Sequence, residues 1–157
     1  MSSEDDLLIL LMGVARLART EAERRAREHG MTRAQWSCLK HIHHHPGLTQ
    51  KELADLLEVE PITAARLVDR LEALGLIARR GDAHDRRVWR LHLRPAAVAQ
   101  LAEIDRQRGQ ITALITEGLT GADREAVLRG LRAMKTNLAR GPDATAPGGQ
   151  KTLEENA

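Results

Sequence analysis

No tyrosine or phenylalanine occurs in the 157-residue chain, and tryptophan occurs only at Trp36 and Trp89. Proteins that hold single-stranded nucleic acid stack successive bases on aromatic side chains, so a chain this poor in aromatics is not of that kind. Cysteine occurs once, at Cys38. An internal disulfide is therefore impossible, and a reducing compartment, the cytoplasm, is the expected location. Long apolar runs are missing as well. The stretch Leu7 to Met12 is too short to span a bilayer, and no basic region precedes it. Neither a membrane anchor nor a signal peptide is expected. Excess charge of one sign is lacking too: 24 Lys and Arg face 22 Asp and Glu, a net +2. Only the local distribution of charge can then point to a partner. Catalytic combinations are absent. Ser37 beside Cys38 has no convincing base and orienting group, and no glycine loop resembles a phosphate cradle. No enzyme, and no cofactor, is expected.

What is present is helical periodicity. Leu7, Leu10, Leu11, Val14, Leu17 and Ala18 recur at helical spacing, with Ser3 and Asp6 reading as a capping box at the start and His29-Gly30 as the end. Leu8 and Ile9 lie off that stripe and are also apolar, which calls for a second packing partner. Thr32 and Gln35 open a second helix with Trp36, Leu39 and Ile42 on its apolar stripe, stopped by His45-Pro46-Gly47. Thr49 and Glu52 open a short third helix expected to bury Leu53, Leu56 and Leu57. Pro61 suits the first position of a fourth, which buries Ala64, Leu67, Val68 and Leu71 and ends at Gly75. Leu76–Arg80 and the alternating stretch Trp89–Arg94 read as two strands around the turn Gly81–Asp85. A fifth helix follows Pro95, and Thr120 with Asp123 caps a sixth.

Charge concentrates in the hairpin. Residues 79–94 hold six arginines against two aspartates. A compact helical unit ending in such a hairpin suits a polyanion, and double-stranded DNA is the expected partner. The buried stripe of the fourth helix leaves Ile62, Thr63, Arg66 and Arg70 on the opposite face, with Ala65 beside them. A helix of this length fits the major groove. Arg66 is suited to a bidentate pair with guanine, Thr63 to a base edge or phosphate, and Ile62 and Ala65 to thymine methyls. In the hairpin, Arg86 is the first choice for insertion into the minor groove, where the potential is most negative. Arg79, Arg80, Arg87 and Arg90 are phosphate or structural partners. Asp85 has a structural role, holding a neighbouring arginine or capping the loop.

From Met31 onward the chain resembles the MarR family of winged helix-turn-helix regulators. The similarity rests on MTRAQWSCLKHI and on GLTQKELADLLEVEPITAARLVDRLEALGLIARRGDAHDRRVWRLHL, above all the DRLEALGLIARR run and the D-x-x-D-R-R wing at Asp82 to Arg87. The resemblance implies a mainly α fold with a small β wing: residues 31–95 form a winged helix-turn-helix DNA-binding domain, and residues 4–30 and 96–140 a helical dimerisation region. Residues 141–157 have little to bury and read as a disordered tail. It further implies a homodimeric repressor on a palindromic operator. Its helix readers fall at Ile62, Thr63 and Arg66, and its wing pair at Asp85 and Arg86. Ala65 departs from the Ser or Thr often found at that position. A small aromatic or anionic ligand between the dimerisation helices and the DNA-binding lobe is also implied, with Arg16, Trp36 and His41 as pocket candidates.

Cys38, His41 and His45 share one helix at i, i+3 and i+7. That set lacks the four ligands of a structural zinc site, so no metal is expected; a metal- or redox-responsive regulator is the variant it leaves open. A helical adaptor that uses the same module for protein contacts is the alternative from another class.

Overall fold

The computed structural model describes residues 6–141. Among the described residues six helices and one antiparallel hairpin follow one another as α1 (Leu7–Glu28), α2 (Arg33–His44), α3 (Gln50–Leu57), α4 (Pro61–Ala73), β1 (Ile77–Gly81), β2 (Trp89–Leu93), α5 (Ala97–Ile115) and α6 (Gly121–Arg140). The chain divides into two compact units, one running through the end of α5 and the other containing α6. No helix of the described residues is long and apolar enough to cross a membrane.

The helix starts follow from local hydrogen bonding. The first backbone N–H groups of a helix lack partners within it, and a short polar side chain in extended backbone just ahead supplies them. Thr32 with Gln35, Thr49 with Glu52 and Thr120 with Asp123 form reciprocal boxes of this kind, as their spacing predicts. At α1 the outcome differs. Asp6 is itself the cap, its carboxylate accepting from the Leu8 and Ile9 N–H groups at 2.9 and 3.1 Å. Ser3, the expected start, lies outside the described residues. Gly75, just past α4, has φ of +72°, the left-handed backbone that glycine adopts without strain.

One core joins the elements of the first unit. Leu39 and Ile42 of α2, Leu53 of α3, Val68 and Leu71 of α4, Ile77 and Leu91 of the hairpin and Ile104 of α5 are all buried in it. Leu56, expected inside, is 43% exposed. Successive residues of a helix turn by about 100°. Leu53, Ala54 and half-buried Leu57 share one side of α3, and Leu56 falls well off it.

The hairpin is tied down at its base. Leu91 donates to the Leu48 carbonyl at 2.9 Å and accepts from the Gly47 N–H at 3.0 Å. Thr49 and Arg90 form a further antiparallel bridge. The hairpin therefore leaves the core in a fixed direction beside α3 and α4. At the chain's two ends the apolar stripes stay open. Leu7, Leu10, Val14 and Leu17 of α1 are each at least half exposed, and α6 buries no residue at all.

Candidate nucleic-acid interface

Helix α4 buries Ala64, Val68 and Leu71. This fixes which side chains face outward: Ile62, Thr63, Arg66 and Arg70 are exposed, and Ala65 is half-buried beside them. The guanidinium groups of Arg66 and Arg70 form no hydrogen bond or ion pair with another described residue. Their acidic neighbours are engaged elsewhere. Arg79, on β1, lies 2.5 Å from both Asp69 and Glu72 and also donates to Gln50 at 3.3 Å. One arginine of the hairpin thus neutralises the acids of α4 and leaves the outward arginines of that helix as free cations.

The hairpin loop is organised by two aspartates. Asp82 accepts from the N–H groups of His84 and Asp85 at 2.7 and 3.1 Å and pairs with the Arg90 guanidinium. The His84 N–H, the Arg90 side chain and the Asp85 N–H hold its carboxyl down to about 2. Asp85 accepts from the Arg87 N–H at 2.9 Å, so it caps the backbone of the tip and binds no arginine side chain. Arg90 also donates to the Gly47 carbonyl at 3.0 Å, joining the loop to the base of α3. The six arginines of this segment therefore divide. Arg79 and Arg90 hold the structure together. Arg80, Arg86, Arg87 and Arg94 are exposed, with no ion pair to another described residue. The part played by Asp82 escapes a reading of the sequence that sees only a turn residue. Its signal lies in the pairing of the strands, which brings Arg90 back beside the loop.

The expected ligand residues do not all meet. Trp36 and His41 line one cleft of about 460 Å³ between α1, α2 and α5, together with Ala22, Arg33, Lys40, His44 and Arg108. Arg16 lines a separate groove on α1 with Leu11, Met12 and Arg19. Arg33, Lys40 and Arg108 make the cleft cationic. Sequence inspection misses them because α2 and α5 are far apart along the chain. Lys40 is 2.7 Å from Asp105. Burial, and then the charges of His45 and His44, lower the pKa of His41 below the ordinary imidazole value. Cys38 is fully buried, and burial pushes its thiol up to about 12. It carries essentially no thiolate at neutral pH, the form that oxidation requires. Among the described residues no group of three or more His, Cys, Asp or Glu is placed to hold a metal ion.

Comparison with known proteins gives a consistent result. A sequence profile of the MarR family matches residues 29–88, the stretch from the end of α1 through the hairpin loop. The HTH-type transcriptional regulator YybA of Bacillus subtilis (strain 168) is 26% identical over 110 residues, 70% of this chain and 73% of that protein. The crystal structure of the transcriptional regulator PA3341 is 32% identical and superposes with a TM-score of 0.71, covering 83% of this chain and 96% of that one. A crystal structure of MarR is 29% identical with a TM-score of 0.74, over 83% and 96% of the two chains.

Proposed function

The chain belongs to the MarR family of winged helix-turn-helix transcriptional regulators, and on that premise we propose that it is a homodimeric repressor that binds an inverted-repeat operator and is released by a small anionic ligand. The observation that carries the DNA-binding part is the sorting of arginines. Arg66 and Arg70 on α4 and Arg86 and Arg87 at the wing tip are exposed and unpaired among the described residues, while Arg79 and Arg90 hold the scaffold beneath them. Free guanidinium groups on two adjoining projections suit a major groove and the minor groove next to it.

In this reading Arg66 pairs with guanine, Thr63 offers its hydroxyl to a base edge or phosphate, and Ile62 and Ala65 meet thymine methyls. Arg70 and Arg87 contact phosphates, and Arg86 enters the minor groove with Asp85 keeping the tip formed. Exposed leucines on α1 and the absence of any buried residue on α6 support a second copy as their cover. Residues 31–95 then form the DNA-binding lobe and the terminal helices the dimer. The cationic cleft containing Trp36 and His41 supports an anionic effector. Arg16 lines a separate groove on α1 and is not among the residues that line this cleft.

Selection of bound sites from random duplex DNA, followed by footprinting, tests the whole. The expected product is an inverted repeat with half-sites about 34–36 Å apart. A single asymmetric site occupied by one protein chain would refute the dimeric arrangement.

A further inference from the structure

We propose that Trp89 contacts the sugar–phosphate strand that runs between the two grooves occupied by α4 and the wing tip. This contact rests on the DNA-binding function proposed above and adds a residue that neither charge nor helix periodicity picks out. Of the two tryptophans, Trp36 is 4% exposed and Trp89 is 53% exposed. Trp89 thus leaves part of a large apolar ring, and a side chain that carries one N–H donor, at the surface of the wing.

Its position follows from the strand register. Trp89 pairs with Gly81 at the outer end of the ladder, on the strand side of the loop closed by the Asp82 N–H donating to the Val88 carbonyl at 2.9 Å. Its cross-strand neighbour is therefore bare backbone. Directly opposed residues project to the same side of a hairpin, and side chains alternate along each strand. Trp89 thus shares a side with the pairs Arg79–Leu91 and Ile77–Leu93. Leu91 and Ile77 are buried, and Arg79 reaches Asp69 and Glu72 of α4. The indole accordingly stands on the side of the wing turned to α4, one pair further out than Arg79.

A duplex that receives α4 in its major groove and the wing tip in the adjacent minor groove passes one sugar–phosphate strand between them. Trp89 faces that passage. An indole suits such a strand, with its apolar face against deoxyribose and its N–H donating to a phosphate oxygen. The surrounding charge favours the same occupant. The guanidinium groups of Arg86 and Arg87 have no partner among the described residues, and both acids of the loop are already engaged, Asp82 by Arg90 of β2 and Asp85 by the Arg87 N–H.

Because the chain has no tyrosine or phenylalanine, its ultraviolet emission comes from these two indoles alone. The test uses the full-length protein, a dye-labelled random-sequence duplex and low salt, where backbone contacts dominate. Anisotropy of the dye follows binding, and acrylamide quenching of tryptophan follows exposure. In the native chain the quenchable fraction falls as the duplex saturates. In Trp89→Phe, which keeps only buried Trp36, quenching is low from the start and unaffected by DNA. Trp89→Ala weakens binding about five- to tenfold on random and selected duplexes alike, and leaves the salt slope unchanged because no charge is lost. Saturable binding with Trp89 still fully quenchable would overturn the contact and leave DNA binding intact. No saturable binding of any duplex would overturn the proposed function itself, and the contact with it.

Discussion

Arg66 on α4 and Arg79 on β1 show how one residue type acquires two roles on successive elements. Arg79 is four-fifths buried as a side chain and lies between two carboxylates, whereas Arg66 is exposed without a partner among the described residues. Substitution should separate the two. Arg66→Ala is expected to leave the melting temperature unchanged and to cost about 1–3 kcal/mol on a selected operator, with relaxed preference at one base pair. Arg79→Ala is expected to lower stability by on the order of 1 kcal/mol, because Asp69 and Glu72 are themselves substantially exposed and water screens the pairs. Thermal melts and binding isotherms on both variants check this. An equal loss on every sequence for Arg66→Ala would make that side chain a phosphate contact. The outward face of α4 was legible in the sequence because the stripe of Ala64, Leu67, Val68 and Leu71, of which Leu67 is only half-buried, leaves only one face for Arg66. That Arg79 would take Asp69 and Glu72 was not, since the pairing depends on where β1 returns against α4.

The hairpin makes the same point for elements. Its strands were legible from the alternation at residues 89–94, and its turn from Gly81-Asp82. The mechanism that stiffens the loop was hidden, because Asp82 meets Arg90 only once the ladder has formed. The consequence is a pH response. Asp82 titrates near 2 in the folded chain, below about 3.9 for a free aspartate. A depressed carboxyl contributes stability above its unfolded pKa, and that contribution is lost as pH falls through the folded value. The wing should therefore hold its form down to about pH 3, and the amide signals of His84 and Asp85 should shift together with a midpoint near 2. Asp82→Asn should abolish that transition. A midpoint near 4 in the native chain would show that the loop contacts do not persist in solution. Helix α3 gives the complementary lesson. Its capping box was plain in Thr49 and Glu52, but three leucines within five positions cannot all face one core. Which of them turned outward, Leu56, depended on the packing around the helix.

At the scale of the whole molecule, the near balance of 24 basic and 22 acidic residues conceals a segregated distribution. Acids pair with bases along α1 and α5, as in Arg24–Glu21, Arg25–Glu21 and Arg106–Glu103. Arg66 and Arg70 on the outer face of α4 and Arg86 and Arg87 at the wing tip have no ion pair among the described residues, whereas Arg79 and Arg90 of the wing are paired. Net charge is therefore a poor guide to the partner, and the free cations are the relevant quantity. The cleft between α1, α2 and α5 was legible only in part: Trp36 and His41 belong to it, Arg16 does not, and the cations that define it come from helices distant in sequence. What defines the proposed interface is the presentation of unpaired arginines by α4 and the wing tip to adjacent grooves of a duplex. Its most direct test is the affinity of the effector-free protein for a selected duplex, measured by anisotropy across a series of salt concentrations. About six phosphate contacts predict that the logarithm of the association constant falls linearly with the logarithm of salt, with a slope of roughly −5. Affinity independent of salt, or no binding at the lowest salt, would contradict it.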